Sequence, residues 1–180
     1  MYELAKTLFP IHRSLTGSGV RKTLGIIKNI VPLEIHDIAS GENVFDWVIP
    51  DEWHINSAYI KDEYGNKIVD ISDNNLHIVA YSEPFSGTIT LDELKKHLYT
   101  LPEYPDTIPF ITSYYKRQWG FCITQYMHDG LKNCMYHVSV DSYFKKGSLT
   151  YGEILRHCLE KIIVELLRML YQTYQVELKI

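Results

Sequence analysis

Leu8-Phe9-Pro10-Ile11-His12-Arg13-Ser14-Leu15-Thr16-Gly17-Ser18-Gly19-Val20-Arg21-Lys22-Thr23-Leu24 is the stretch on which the fold reading turns. Pro10 stops a short helix over residues 2–9, because it lacks an N–H and its ring clashes with the preceding turn. Ile11 to Gly19 holds two glycines and three hydroxyl residues, the composition of a loop. From Val20 the pattern becomes helical. Val20, Leu24, Ile27 and Val31 recur at three- and four-residue steps and give one apolar face, which Pro32 closes. Ser18 is the candidate N-cap of this helix, its hydroxyl accepting a first-turn N–H. Such a helix start preceded by Arg13 could also bind a carboxylate or another anion.

Leu33, Ile35 and Ile38 suggest a strand behind this helix. Near residue 41 the texture changes, and turn signals arrive every ten residues or so. Ala58–Lys61 and Lys67–Asp70 flank Glu63-Tyr64-Gly65-Asn66 as a hairpin. Leu76–Tyr81 reads as another strand. Thr90 and Glu93 form a capping box that opens a short helix through Leu98. Leu101 to Pro109 carries three prolines and is a rigid loop. Ile123–Leu131 fits a helix or a loop. Tyr136–Asp141 is a strand, Lys145–Ser148 a turn, and Leu149–Ile154 the next strand. Beyond it, Leu155, Leu159, Ile162, Leu166 and Met169 sit at helical spacing and predict an amphipathic helix.

Composition narrows the function classes. Apolar residues make up 46 % and charged residues 22 % of the 180, which fits one good core or two small lobes and not a disordered chain. A net charge of -4 and a pI near 6.0 give no basic face for nucleic acid. No run approaches a membrane span and the N-terminus has no signal-peptide pattern, so the expected setting is the cytoplasm. Cys122, Cys134 and Cys158 form no CxxC pair and read as free thiols. The eight histidines include no HxxxH, HxH or HExxH spacing. Ser14, Thr16 and Ser18 lack a nucleophile elbow. The aromatic cluster Tyr114-Tyr115 and Trp119-Gly120-Phe121 is open to two readings, a packed β core or a wall for a peptide ligand.

The opening stretch resembles the start of a bacterial family of aminopeptidase-like proteins that carry a domain of unknown function and are related to two-zinc exopeptidases. Further blocks match in order: Val44–Trp53, Ala58–Asp62, Leu98–Pro102, Thr112–Tyr115, Trp119–Cys122 and Gly147–Glu153. The resemblance covers roughly residues 4–154. It implies an α/β class, with an incomplete zinc-exopeptidase-like α/β core, an inserted β-rich lobe and a C-terminal helix. The expected division is 1–40 and 132–154 for the core, 41–131 for the lobe and 155–180 for the divergent tail.

The implied parent reaction is hydrolysis of an N-terminal peptide or peptide-like amide with zinc as cofactor. Arg13, Ser14, Thr16, Gly17, Tyr114, Tyr115 and Trp119 are the candidate substrate-binding residues. The family's Cys-His-Pro and Asn-Asp/Glu-Leu-Ser-Gly blocks, which carry its first zinc ligands, do not follow Glu153. His157-Cys158 does not match them. This chain is therefore expected to be a truncated, inactive portion that holds no zinc and has no catalytic residue. The alternative is a non-catalytic interaction module, with the tail helix as a surface for a homo-oligomer. Neither reading involves nucleic acid or a membrane.

Overall fold

A computed structural model of the chain describes residues 2–154. In chain order it contains α1 (Tyr2–Leu8), α2 (Ser18–Lys28), β1 (Glu34–Ala39), β2 (Asn43–Val44), β3 (Trp47–Val48), β4 (Glu52–Lys61) and β5 (Lys67–Asp70). A 3-10 turn (Asn75–His77), β6 (Phe85–Thr90), α3 (Leu91–Lys95), β7 (Leu98–Tyr99), β8 (Phe121–Cys122), α4 (Gln125–Asp129), β9 (Met135–Lys145) and β10 (Ser148–Glu153) follow. The class is mixed α and β. No described helix is long and apolar enough to cross a membrane. The stripe from Leu155 to Met169 and Cys158 lie outside the described residues.

The central layer is a four-stranded antiparallel sheet in the order β5-β4-β9-β6. Strand β9 alternates cleanly: Tyr136, Val138, Val140 and Ser142 are buried while their neighbours are not. In β4 the alternation changes phase. Trp53 is buried before Asn56, and Ala58 and Ile60 after it, because the register against β9 shifts between Ile55 and Ser57. One extra residue at this bulge keeps a continuous apolar face on the same side of the sheet. Phe121, Ile123, Leu91, Leu94 and Ile78 pack onto that face and complete the core.

Strands β1 and β10 form a separate antiparallel pair, from Glu34 opposite Glu153 to Ala39 opposite Ser148, and α2 packs against β10. Strand β9, expected beside this pair, is instead hydrogen-bonded on both edges within the four-stranded sheet. Its alternation runs past Asp141, through buried Ser142 to half-buried Phe144, so the sheet segment ends at Lys145 and not at residue 131. The connection to β10 is tight. A Cβ on Gly147 would collide with the Glu52 carboxylate, so only glycine lets this turn lie against β4.

Three local expectations change. The Leu76–Tyr81 segment is not a strand. Asn74 accepts the Leu76 N–H and starts the 3-10 turn, only isolated bridges from Ile78 and Ala80 follow, and Tyr81 takes φ 67°. Helix α2 is capped by Gly17, not Ser18, with no side-chain cap bond. Gly17 sits at φ 98° and ψ -172°, a region that other residues avoid. Helix α3 ends at Lys95, since Leu98 is already in β7. At its start Thr90 Oγ1 accepts the Glu93 N–H at 3.3 Å, while the Glu93 carboxylate turns to Lys96.

Candidate substrate cleft

The loop from Phe9 to Gly17 is pinned at four places. Asn75 Nδ2 donates to Phe9 O at 2.6 Å. Arg13 Nη1 donates to Leu8 O at 2.8 Å and reaches Thr23 Oγ1 at 3.4 Å, bridging the end of α1 to the flank of α2. Thr16, 2 % exposed, shares a hydrogen bond of 2.6 Å with the Tyr81 hydroxyl. That hydroxyl lies 3.3 Å from Asp51 O. The unusual backbone of Tyr81 is thus matched by a buried anchor to the loop.

Beside the loop is a cleft of about 470 Å³, lined by Phe9, Leu76, Phe110 and Tyr114 together with Arg13 and Ser14. An aromatic series runs from the loop to the surface. His12 meets Trp53 at 5.5 Å, Trp53 meets Tyr81 at 6.0 Å, Tyr81 meets Tyr114 at 5.9 Å, and Tyr114 meets Tyr115 at 4.2 Å between ring centroids. Burial lowers the pKa of His12 and raises that of Tyr81, so both are uncharged at neutral pH. Ser14 Oγ is buried beside the Tyr81 hydroxyl without a well-formed hydrogen bond to it.

Below the loop, Glu52 holds α2 to β4. Arg21 donates to it through both terminal nitrogens at 2.5 and 3.0 Å. His54 Nε2 is 3.1 Å from Glu52 Oε2, and Ser148 N donates to Oε1 at 3.0 Å. The Arg21 hydrogen bonds lead in holding the Glu52 carboxyl down to about 2. A carboxylate so acidic and so fully engaged is a poor proton acceptor and serves as a brace. Burial pushes the Cys122 thiol up to about 12, which excludes it as a thiolate nucleophile at neutral pH. Among the described residues no group of three or more His, Cys, Asp or Glu side chains is placed to hold a metal ion.

The candidate residues divide. Arg13, Ser14 and Tyr114 come together at the cleft. Tyr115 packs against Tyr114 with its ring tilted by 44° and is 80 % exposed. Thr16 and Gly17 lie beneath the loop, Thr16 tied to Tyr81 and Gly17 against Trp53 O. Trp119 is elsewhere, sandwiched between His97 at 3.8 Å and Phe85 at 4.3 Å on the far part of the core. Sequence reasoning missed Phe9, Leu76 and Phe110, which signal nothing locally because the cleft forms only when three distant loops meet. It also missed the Arg21–Glu52 brace.

Residues 52–143, from the first residue of β4 to nearly the end of β9, match a family described as "Domain of unknown function (DUF2172)". A protein of Clostridium acetobutylicum, provisionally named a polysaccharide biosynthesis protein with aminopeptidase-like domain, is 52 % identical over 153 residues. The match takes in 85 % of this chain and 35 % of that protein. A crystal structure from the same organism, provisionally named a peptidase, superimposes with a TM-score of 0.80 at 52 % identity. It covers 85 % of this chain and 36 % of that one. The chain therefore spans about a third of the length of these relatives.

Proposed function

The chain belongs to the family described as Domain of unknown function (DUF2172), and from that premise we propose that it forms the substrate-side part of an aminopeptidase-like hydrolase. One observation carries the reading: a peptidase-named structure matches at a TM-score of 0.80, yet 64 % of that chain has no counterpart here, since the match covers 36 % of it. Helix α2 with β1 and β10 belongs to the α/β core, and the four-stranded sheet with its loops is a lobe inserted into it. The Arg13–Gly17 loop and the Tyr114–Tyr115 pair hold and orient a peptide or peptide-like substrate.

Zinc-dependent hydrolysis needs a water activated on metal held by several His and carboxylate ligands. The described residues bring no such set together, so no step of bond cleavage is assigned to them. The metal and the catalytic carboxylate belong to the portion of the relatives that this chain does not match, and this chain by itself is inactive. The rival reading, a non-catalytic interaction module, depends on the stripe from Leu155 to Met169, outside the described residues.

A chimera tests the proposal. The matching segment of the Clostridium acetobutylicum protein is replaced by residues 2–154 of this chain, and hydrolysis of aminoacyl amides is measured with and without a chelator. Retained, chelator-sensitive turnover is expected. A chimera that melts cooperatively near the parent's temperature but has lost the parent's turnover contradicts the reading.

A further inference from the structure

We propose that the cleft beside Arg13 takes a small apolar carboxylate: a bulky hydrocarbon or aromatic group in the cleft, and its anionic head on the Arg13 guanidinium. The volume, about 470 Å³, falls in the range of small-molecule sites, roughly 300–1,000 Å³. Its walls are mostly apolar, and two of its large lining side chains are left to water, Phe9 at 55 % and Phe110 at 68 % exposure. Apolar surface of this kind, gathered around a concavity, is what a ligand covers.

The polar groups specify the head. Arg13 is the one formally charged side chain among the lining residues, since burial keeps His12 neutral. Nη1 of Arg13 is committed to Leu8 O and Thr23 Oγ1, which fixes the side chain. Among the described residues, its other N–H groups have no acceptor and no carboxylate pairs with it. Ser14 also lines the cleft, its buried Oγ beside the Tyr81 hydroxyl without a well-formed hydrogen bond. A planar fork of N–H donors matches a carboxylate. One cation among apolar walls suits a monoanion better than a doubly charged phosphate.

For a peptidase this means a short peptide ending in a bulky apolar residue, its free C-terminal carboxylate on Arg13. As a substrate class the inference rests on the function proposed above, whereas as a binding site it stands on the cleft alone. The test is direct binding to the full 180-residue chain. The probes are N-acetyl-L-phenylalanine, its neutral C-terminal amide, and acetate, titrated with detection by NMR shifts at Leu76 and Tyr114.

The acid should bind about tenfold or more tightly than the amide, as one charge-assisted contact implies, and acetate should give no saturable shift. Arg13→Gln should abolish the difference between acid and amide, with a thermal melt as the check that the variant is folded. Arg13→Lys should recover part of the difference, and Phe110→Ser should weaken acid and amide alike. Equal affinity for acid and amide, unchanged acid binding in Arg13→Gln, or no saturable shift by about 10 mM acid overturns the proposal. Because this assay reads binding only, its failure leaves the peptidase reading standing, and an inactive chimera leaves the cleft standing.

Discussion

Glu52 shows how a single side chain joins two parts of the molecule. It is 4 % exposed, it takes both terminal nitrogens of Arg21 from α2, and it accepts the Ser148 N–H at the start of β10. Its folded pKa is lowered from 4.5 to about 2. A carboxyl whose pKa is lowered on folding stabilises fully above its unfolded value, and that stabilisation fades as pH falls from 4.5 towards 2. Denaturant melts of the wild type should therefore lose stability across this window. Glu52→Gln should lower stability at pH 7 by on the order of 2 kcal/mol and flatten the acid limb, because Arg21 loses its counter-ion. Equal acid limbs for the two proteins would show that Glu52 does not brace the fold. Gly147→Ala tests the same junction from the other side. Its methyl would meet the Glu52 carboxylate, and a loss of about 1–3 kcal/mol is expected from overpacking, read as a lower midpoint in urea. An unchanged midpoint would mean that the turn can shift freely.

At the scale of elements, strand β4 explains both what could be read from sequence and what could not. Ala58–Lys61 alternates visibly, so its hairpin with β5 was legible. Glu52–Ile55 was not, because the bulge near Asn56 reverses the phase and hides the period of two. Because Asn56 is the extra residue, removing it should leave Trp53, Ile55, Ala58 and Ile60 on one face at an unbroken period of two. The expected outcome is a retained cooperative transition by circular dichroism, and loss of cooperative unfolding would show that the bulge itself is needed. Strand β9 was assigned too short and to the wrong sheet. Nothing in Tyr136–Asp141 says which strands it will pair with, and that choice depends on β4 and β6 far away in sequence. Leu76–Tyr81 was misread for the same reason. His77 to Tyr81 are buried without alternation, and the positive φ of Tyr81 goes with the contacts of its hydroxyl to Thr16 and Asp51. The Arg13–Gly17 loop was legible because its glycine and hydroxyl chemistry is contiguous. Trp119 was misplaced because its partners Phe85 and His97 come from other elements.

For the whole molecule, the central claim is a division of labour. This chain carries the family's sheet and a pinned cleft, and no described residues form a metal-ligating set. The purified 180-residue chain, supplied with zinc and an aminoacyl amide, is the most direct test of that division. The account predicts no hydrolysis above background that a chelator removes. Chelator-sensitive turnover that co-purifies with the chain and vanishes with its removal would contradict it.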